Sequence, residues 1–285
     1  MLLDNGYPHL YEFCLFSALL PHKYLLVSLD ILLRRPATRK QRVACFVKRR
    51  LLKAVDLFLL YFKDTQAYQH WYGIDSGRTQ YVPFKVNDWE TFEKAYPDPC
   101  SGSYILCAGR TLRDHATFIN AIGRTKLPGI LLMPLDGALL AHGTREITRS
   151  ALPDNLRVIV HDDGKQATFL EWIRKAAIVV IPRYQSDISS TGISTYLNAM
   201  AAARCVIISR GPGVEDVLLN QEAIVVDPEN CAQLAEAMSL AWSNPDMRRT
   251  LGLAGRAYAE KLAGADRLWS DIAGILLEAC QNRSR

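Results

Sequence analysis

Glycine and arginine residues stand at places in this sequence where a protein could bind phosphate groups. Gly109-Arg110 follows a short apolar segment, and Arg113 lies three residues further along. A glycine lets a ligand approach the backbone, and an arginine can make a bidentate charged contact with a phosphate. Gly192 precedes an apolar helical pattern, and the N–H groups at the start of a helix also suit an anion. Together these residues predict a diphosphate site, although a surface ion pair is the alternative interpretation for either arginine alone.

The segment around Gly192 predicts a loop, a helix and then a buried strand. Apolar residues with helical spacing define one face of the helix, at Ile193, Leu197, Met200 and Ala201. The hydroxyl of Ser190 or Thr191 is predicted to cap this helix. Residues 205–208 form an apolar run, which is typical of a strand covered on both faces. A core helix packed on a sheet, with no ligand, is the alternative interpretation.

From residue 104 onward, segments with strand and helix patterns alternate. The predicted strands are 104–108, 129–134, 156–160, 177–181, 205–208 and 223–226. The predicted helices outside the Gly192 segment are 114–124, 166–176, 231–242, 246–262 and 266–280. This alternation predicts a parallel sheet, in which ligands bind beyond the C-terminal ends of the strands. The loops that begin at Gly109, His161 and Gln185 are therefore expected to open on one edge, which places His161 among the predicted binding residues.

The first hundred residues have a different pattern, with fewer and shorter elements. Helices are predicted at 9–20 and 64–72, and extended segments at 23–29, 57–61 and 80–86. Residues 87–102, which contain prolines, a glycine and several charges, are interpreted as a linker. The predicted domains are therefore 1–100, 101–262 and a C-terminal helix at 263–285.

Residues 34–53 carry nine basic residues and no acidic one. Apolar residues recur among them with helical spacing, so the segment predicts an amphipathic basic helix. Three interpretations stay open: an ordinary solvated helix face, a surface that rests on anionic lipid, and a nucleic-acid contact. No recognised nucleic-acid motif accompanies the helix, so no nucleic-acid partner is expected.

The composition is that of a globular chain, with 49% hydrophobic and 22% charged residues. The seven cysteines form no CxxC pair, which favours reduced thiols and a cytoplasmic location. Charged residues and a proline interrupt the apolar stretch 13–33, which makes it a poor membrane span. There is no GxGxxG, no GxxxxGK[ST] and no set of residues with metal-ligand spacing, so neither a dinucleotide, nor a P-loop nucleotide, nor a metal ion is predicted.

Four blocks of the sequence resemble a known family in their order and spacing. They are AVDLFLLYFKDTQAYQHWYGI (54–74), QYVPFKVN (80–87), YILCAGRTLRDHATFINAIGR (104–124) and the block from STGISTYLNAMAAARCVIISRGPG to QLAEAM (190–238). The blocks are similar to those of family 4 glycosyltransferases. The resemblance implies an α/β fold of the GT-B type, with two Rossmann-like parallel-sheet domains. The first of these domains is expected to be incomplete, because only about 100 residues precede the second.

The resemblance also implies roles for particular residues. Gly109, Arg110 and Arg113 would hold the diphosphate of a nucleotide-sugar donor, and the helix start at Gly192, Ile193 and Ser194 would cradle the same group. The family usually has two glutamates, where this sequence has Ser190 and Asn198. Asn198 would hydrogen-bond a ribose hydroxyl. Ser190 would stand where the transferred sugar is contacted, and Asp187 is the nearest carboxylate to replace the one that is missing.

The implied activity is transfer of a sugar from a nucleotide diphosphate-sugar to a polysaccharide or lipid-linked acceptor, at the cytosolic face of a membrane. Arg110, Arg113 and Ser190 would be the catalytic residues, with no cofactor beyond the donor substrate. The alternative is a non-catalytic or truncated module that binds a nucleotide or a partner chain. A GT-B sugar-nucleotide epimerase is a third alternative, for which no acid and base residues are found. A short first domain also suggests a natural short form, a fragment, or completion by a partner chain.

Overall fold

A computed structural model describes residues 2–4, 9–19, 24–94, 98–134, 138–147, 152–160, 166–218 and 222–283. The chain divides into two compact units. The first unit comprises residues 1–83, 186–190 and 268–285, and the second comprises 84–185 and 191–267. The domain boundaries predicted at residues 100 and 262 remain predictions, because this division into units does not test them.

The first unit contains a four-stranded parallel sheet. Its strands are β1 (Leu2–Asp4), β2 (Val27–Leu29), β3 (Leu57–Leu60) and β4 (Thr79–Tyr81). They lie in the order β1-β2-β3-β4, with Val27 opposite Leu57 and Phe58 opposite Thr79. The helices of this unit are α1 (Leu10–Leu19), α2 (Arg39–Leu51) and α3 (Gln66–Tyr72). The strands are only three or four residues long, and β4 is an edge strand that ends two residues before Pro83.

The ends of helices α2 and α3 follow from local sequence. Thr38 caps α2 in a capping box: its hydroxyl accepts a hydrogen bond from the Gln41 N–H, and the Gln41 side chain accepts one from the Thr38 N–H. Helix α3 ends at Gly73, whose φ of 64° lies in the left-handed region that glycine adopts easily. The three predicted helices of the first hundred residues, at 9–20, within 34–53 and at 64–72, are confirmed as α1, α2 and α3.

The second unit begins with a short helix, α4 (Trp89–Glu93), inside the segment predicted to be a linker. The linker interpretation was wrong for these residues, because Phe92 is buried and anchors the helix. The unit's six-stranded parallel sheet has the order β10-β9-β8-β5-β6-β7. Its strands are β5 (Ile105–Ala108), β6 (Gly129–Met133), β7 (Leu156–Val160), β8 (Ile178–Ile181), β9 (Cys205–Ser209) and β10 (Ile224–Val226). The predicted α/β class with parallel sheets is confirmed.

The helices of the second unit lie between these strands or after the last of them. They are α5 (His115–Thr125), α6 (Ala138–Ala141), α7 (Gln166–Lys175), α8 (Ile193–Ala201), α9 (Cys231–Ser243) and α10 (Pro245–Leu262). The last helix, α11 (Ala265–Arg283), lies mostly in the first unit. Side chains of the strands and of α5 and α9 form one buried apolar cluster, which includes Ile105, Phe118, Leu131, Ile178 and Met238. Strands β5, β8 and β9 are buried along their whole length, as expected where a sheet is covered on both faces.

Arg204 connects several loops at the end of this unit that lies away from the C-terminal ends of the strands. Its side chain is fully buried and donates hydrogen bonds to the carbonyl oxygens of Asp98, Ser101, Ala176 and Ala202. A buried guanidinium is tolerated here because backbone carbonyls accept its N–H groups. Arg204 therefore has a structural role. None of the helices in the described part of the chain is long and apolar enough to cross a membrane.

Candidate functional site

The candidate site lies at the C-terminal ends of β5 and β8, which are neighbours in the sheet of the second unit. Two backbone hydrogen bonds join the loops that follow these strands. Asp114 donates its N–H to the Pro182 carbonyl at 3.1 Å, and Tyr184 donates to the Leu112 carbonyl at 3.3 Å. These two bonds make Arg113 and Arg183 the partners of an isolated antiparallel bridge. Two loops far apart in the sequence are thus fixed side by side.

Gly109 and Gly192 leave space beside the side chain of Arg113. Their φ angles are +122° and +92°, which residues with a Cβ rarely adopt. A Cβ on Gly109 would lie 2.4 Å from Arg113 Nε, and one on Gly192 would lie 3.4 Å from Arg113 Nη2. The guanidinium therefore occupies the space between two glycine backbones, one in the loop after β5 and one at the start of α8.

Arg113 is buried, with 2% of its surface exposed. Its Nε donates to the Ala108 carbonyl, Nη1 to the Thr111 carbonyl at 2.8 Å, and Nη2 to the Thr195 hydroxyl at 3.3 Å. Burial lowers the pKa of Arg113 to about 10, so the group stays charged at neutral pH. All three acceptors are neutral oxygens.

Arg183 provides a second buried cation that the sequence analysis missed. It is 3% exposed and donates to the carbonyls of Ser209, Thr191 and Pro212. Burial, and then the charge of Arg113, lower its pKa to about 10. Within the described ranges neither arginine forms an ion pair with a carboxylate. One feature of the sequence did indicate Arg183. This arginine lies two residues after the apolar strand β8, as Arg110 lies two residues after β5.

The start of α8 presents unpaired backbone N–H groups at the same edge. The N-cap is Gly192, and no side chain caps the helix. The prediction that the hydroxyl of Ser190 or Thr191 caps it was wrong, because the left-handed turn at Gly192 begins the helix one residue later. Ile193 is buried and Ser194 is half-buried in this first turn, whose N–H groups have no partner within the helix.

Asn198, one turn into α8, is buried with 1% of its surface exposed. Its Oδ1 accepts a hydrogen bond of 3.2 Å from the backbone N–H of Asn87. Its Nδ2 is also buried and has no hydrogen-bond partner in the described residues. A buried amide nitrogen without a hydrogen-bond partner lowers the stability of the folded state, so Asn198 is a destabilising feature of this unit.

The other predicted site residues lie in different surroundings. Arg110 is exposed, beside the buried Arg113, with its carbonyl accepting a hydrogen bond from Thr144. Ser190 and Asp187 belong to the first unit, with Ser190 half-buried and Asp187 exposed. His161 lies outside the described residues.

His115 is the first residue of α5 and directly follows the helix cap Asp114. It is 1% exposed, and neither ring nitrogen has a hydrogen-bond partner in the part of the chain that is described. Burial, and then the charge of Arg113, lower the pKa of His115 to about 4. The ring is therefore neutral at pH 7, and Arg113 and Arg183 remain the buried cations of this edge.

A family model matches this sheet and most of its helices. Residues 103–244, just under half of the chain, match the model for glycosyl transferases group 1. We call this region, which is similar to a group 1 glycosyltransferase domain, the group 1 domain. It contains Gly109, Arg110, Arg113, Gly192 and Asn198, and also Arg183. No curated protein sequence matches the chain.

Solved glycosyltransferase structures resemble the whole chain in fold. A glycosyltransferase from Rickettsia africae ESF-5 has a TM-score of 0.70 and 13% identity, over 97% of this chain and 76% of that one. Anabaena Alr3699/HepE in complex with UDP and glucose has a TM-score of 0.72 and 13% identity, over 96% and 77%. Sucrose-phosphate synthase from Thermosynechococcus elongatus has a TM-score of 0.71 and 16% identity, over 98% and 73%. The group 1 domain thus belongs to a chain with a GT-B-like fold, as predicted.

Proposed function

We propose that the group 1 domain binds the diphosphate of a nucleotide diphosphate-sugar, and that the protein transfers the sugar to a polysaccharide or lipid-linked acceptor. The observation that supports this most is the pair of buried cations, Arg113 and Arg183, at the edge of the sheet where α8 begins; neither forms an ion pair with a carboxylate in the described residues. Arg110, exposed in the same loop, is the cation that is free to contact the ligand directly.

Electrostatics favours an anion at this edge. Removing an arginine from water costs several kcal/mol, and Arg113 and Arg183 recover only hydrogen bonds to neutral oxygens. A diphosphate would add the missing negative charge, and the N–H groups at the start of α8 would add hydrogen bonds. Gly109 and Gly192 have no side chains, which allows the Arg113 guanidinium to lie between them at this edge. The charge of the site and the N–H groups at the start of α8 therefore suit the same ligand.

The class of donor is supported by the relatives. The Anabaena protein has been crystallised with UDP and with UDP-glucose, and trehalose-phosphate synthases of similar fold are described as UDP-forming. A nucleoside diphosphate is the leaving group in such a transfer. In this protein Arg110, Arg113 and the start of α8 would stabilise the negative charge that develops on the leaving diphosphate. Ser190 stays a predicted contact of the transferred sugar, and Asn198 a predicted contact of the ribose.

A second function, binding without transfer, is favoured by Asn198. The family's carboxylate is replaced here by a buried amide whose oxygen is already used by the Asn87 N–H. Ser190 likewise has no carboxylate. If these positions are needed for turnover, the protein would be a module that binds a nucleotide or a partner chain.

Calorimetric titration with UDP-, GDP- and ADP-sugars tests the proposed donor site. Micromolar binding of one of them supports it and identifies the base. No binding, in a protein that shows a cooperative melt, contradicts it. Release of the nucleoside diphosphate from the bound donor then separates the two functions: slow release supports a transferase, and binding with no release over hours supports the module.

Replacing Arg110 with alanine tests the contact with the diphosphate. We expect donor affinity to fall by roughly 1.5–3 kcal/mol, the usual scale for a hydrogen bond to a charged group. The melting temperature should not change, because Arg110 is exposed. Arg124→Ala is the matched control, since Arg124 is an exposed arginine in the last turn of α5. If the two variants bind the donor with equal affinity, Arg110 does not contact the diphosphate.

A further inference from the structure

Helix α2 presents its apolar residues to solvent. Val43, Phe46 and Val47 are 65%, 56% and 50% exposed, although their spacing is that of one helical face. Cys45 lies on the opposite side, where it is buried and its thiol donates to the Trp71 carbonyl at 3.3 Å. The helix is therefore anchored to its unit through Cys45, and its apolar stripe is left without a partner in the described residues.

Arginines lie along the same stripe. At 100° per residue, Arg39 and Arg50 point within about 40° of the direction of Val43. Both are exposed, and the Arg50 guanidinium lies 4.4 Å from the centre of the Phe46 ring. We call this surface, made of Arg39, Val43, Phe46, Val47 and Arg50, the outer face of α2. It has no acidic residue, because α2 contains none.

Helix α1, which packs beside α2, also has exposed apolar residues. It contacts α2 at Lys48, whose ammonium lies 5.0 Å from the centre of the Tyr11 ring and which points about 140° away from Val43. Leu15, one turn after Tyr11, is 49% exposed, and Phe16 is 60% exposed. Apolar side chains with basic neighbours thus occur on two adjacent helices of the first unit.

We propose that the outer face of α2 rests on the surface of an anionic lipid bilayer. An interfacial helix places apolar side chains at the boundary of the acyl chains and basic side chains among the headgroups, and α2 has both on one face. Long basic side chains can bury their methylene stems while the charge stays in water. Each basic residue near an anionic surface strengthens binding by roughly fivefold.

Charge argues against the other occupants. A second copy of the chain would bring one arginine-rich face against another, and like charges would repel. A nucleic acid or an acidic polymer would satisfy the arginines but would leave Val43, Phe46 and Val47 exposed to water. The anionic bilayer is the partner that satisfies both parts of the face. This surface lies in the first unit, so the proposal does not depend on the donor site.

Flotation of the full chain with vesicles tests the proposal. We expect binding to vesicles of about 30% phosphatidylglycerol in phosphatidylcholine, and little to pure phosphatidylcholine, at low salt. Neutralising three arginines (Arg39→Gln, Arg42→Gln, Arg50→Gln) should lower the partition coefficient at least about tenfold. The matched control removes three exposed arginines of the second unit (Arg157→Gln, Arg174→Gln, Arg249→Gln) and should lower it less than about twofold.

A second variant distinguishes a bilayer from any other polyanion. Val43→Ser, Phe46→Ser and Val47→Ser together should weaken vesicle binding at least about fivefold, because the apolar contact with the acyl boundary is lost. The same variant should bind a short DNA duplex as wild type does. Vesicle binding that this variant retains in full would overturn the proposal in favour of a polyanion surface. A wild-type dimer that the variant converts to a monomer in sedimentation velocity would overturn it in favour of an interface between copies.

Discussion

Replacing Gly109 with alanine should destabilise the protein by about 2–4 kcal/mol and abolish donor binding. The φ of +122° is strained for any residue with a Cβ. The new methyl group would also lie 2.4 Å from Arg113 Nε, so the guanidinium must move. Moving it breaks hydrogen bonds to Ala108, Thr111 and Thr195, the last of which joins the loop after β5 to α8. Urea denaturation and titration with the donor identified by calorimetry would measure the two effects.

Gly274→Ala is the control for the loss of a glycine. Gly274 lies in α11, and a Cβ there would meet no atom within 4 Å. Alanine should leave stability unchanged or raise it by up to about 1 kcal/mol, as expected in an exposed helix. If Gly109→Ala unfolds at the wild-type urea concentration and binds donor normally, Gly109 is not what holds Arg113 in place, and the proposed geometry of the site is wrong.

Much of the second unit could be predicted from the sequence, because local patterns determine it. Strand β7 has the predicted limits, since the apolar pattern begins at Leu156, directly after Pro153, Asp154 and Asn155. Helix α5 begins after Asp114, whose carboxylate accepts a hydrogen bond from the Thr117 N–H as a helix cap should. The expectation of a site at the ends of these strands, which stays a prediction, follows from the same alternation of elements.

Features that depend on contacts distant in the sequence could not be predicted. Arg183 lies next to Arg113 only because β8 is the neighbour of β5 in the sheet. The spacing of residues along the sequence does not reveal this strand order. The burial of Arg113 also depends on distant contacts, because its side chain lies between Gly109 and Gly192, which are far apart in the sequence. For α2, the spacing of Val43, Phe46 and Val47 indicated an apolar face, but it could not show that this face points away from the core.

A pH dependence of stability should arise at His115. In the unfolded chain a histidine has a pKa near 6.5, and in the folded protein burial and Arg113 lower the pKa of His115 to about 4. Between these values the unfolded state binds a proton that the folded state does not. Stability should therefore be lost as pH falls from about 6.5 to about 4, by as much as about 3 kcal/mol for this residue.

His115→Leu removes this proton-binding site and keeps an apolar side chain of similar size in the buried position. Urea denaturation between pH 4 and pH 8 should show that the free energy of unfolding of the wild type falls relative to that of the variant only below about pH 6.5. His70→Gln, at an exposed histidine of α3, should follow the wild-type curve. Parallel curves for wild type and His115→Leu would show that His115 accepts a proton as easily in the folded protein as in the unfolded chain. Its ring would then have to reach water or an acceptor, and the first turn of α5 would be more open than the buried position of His115 implies.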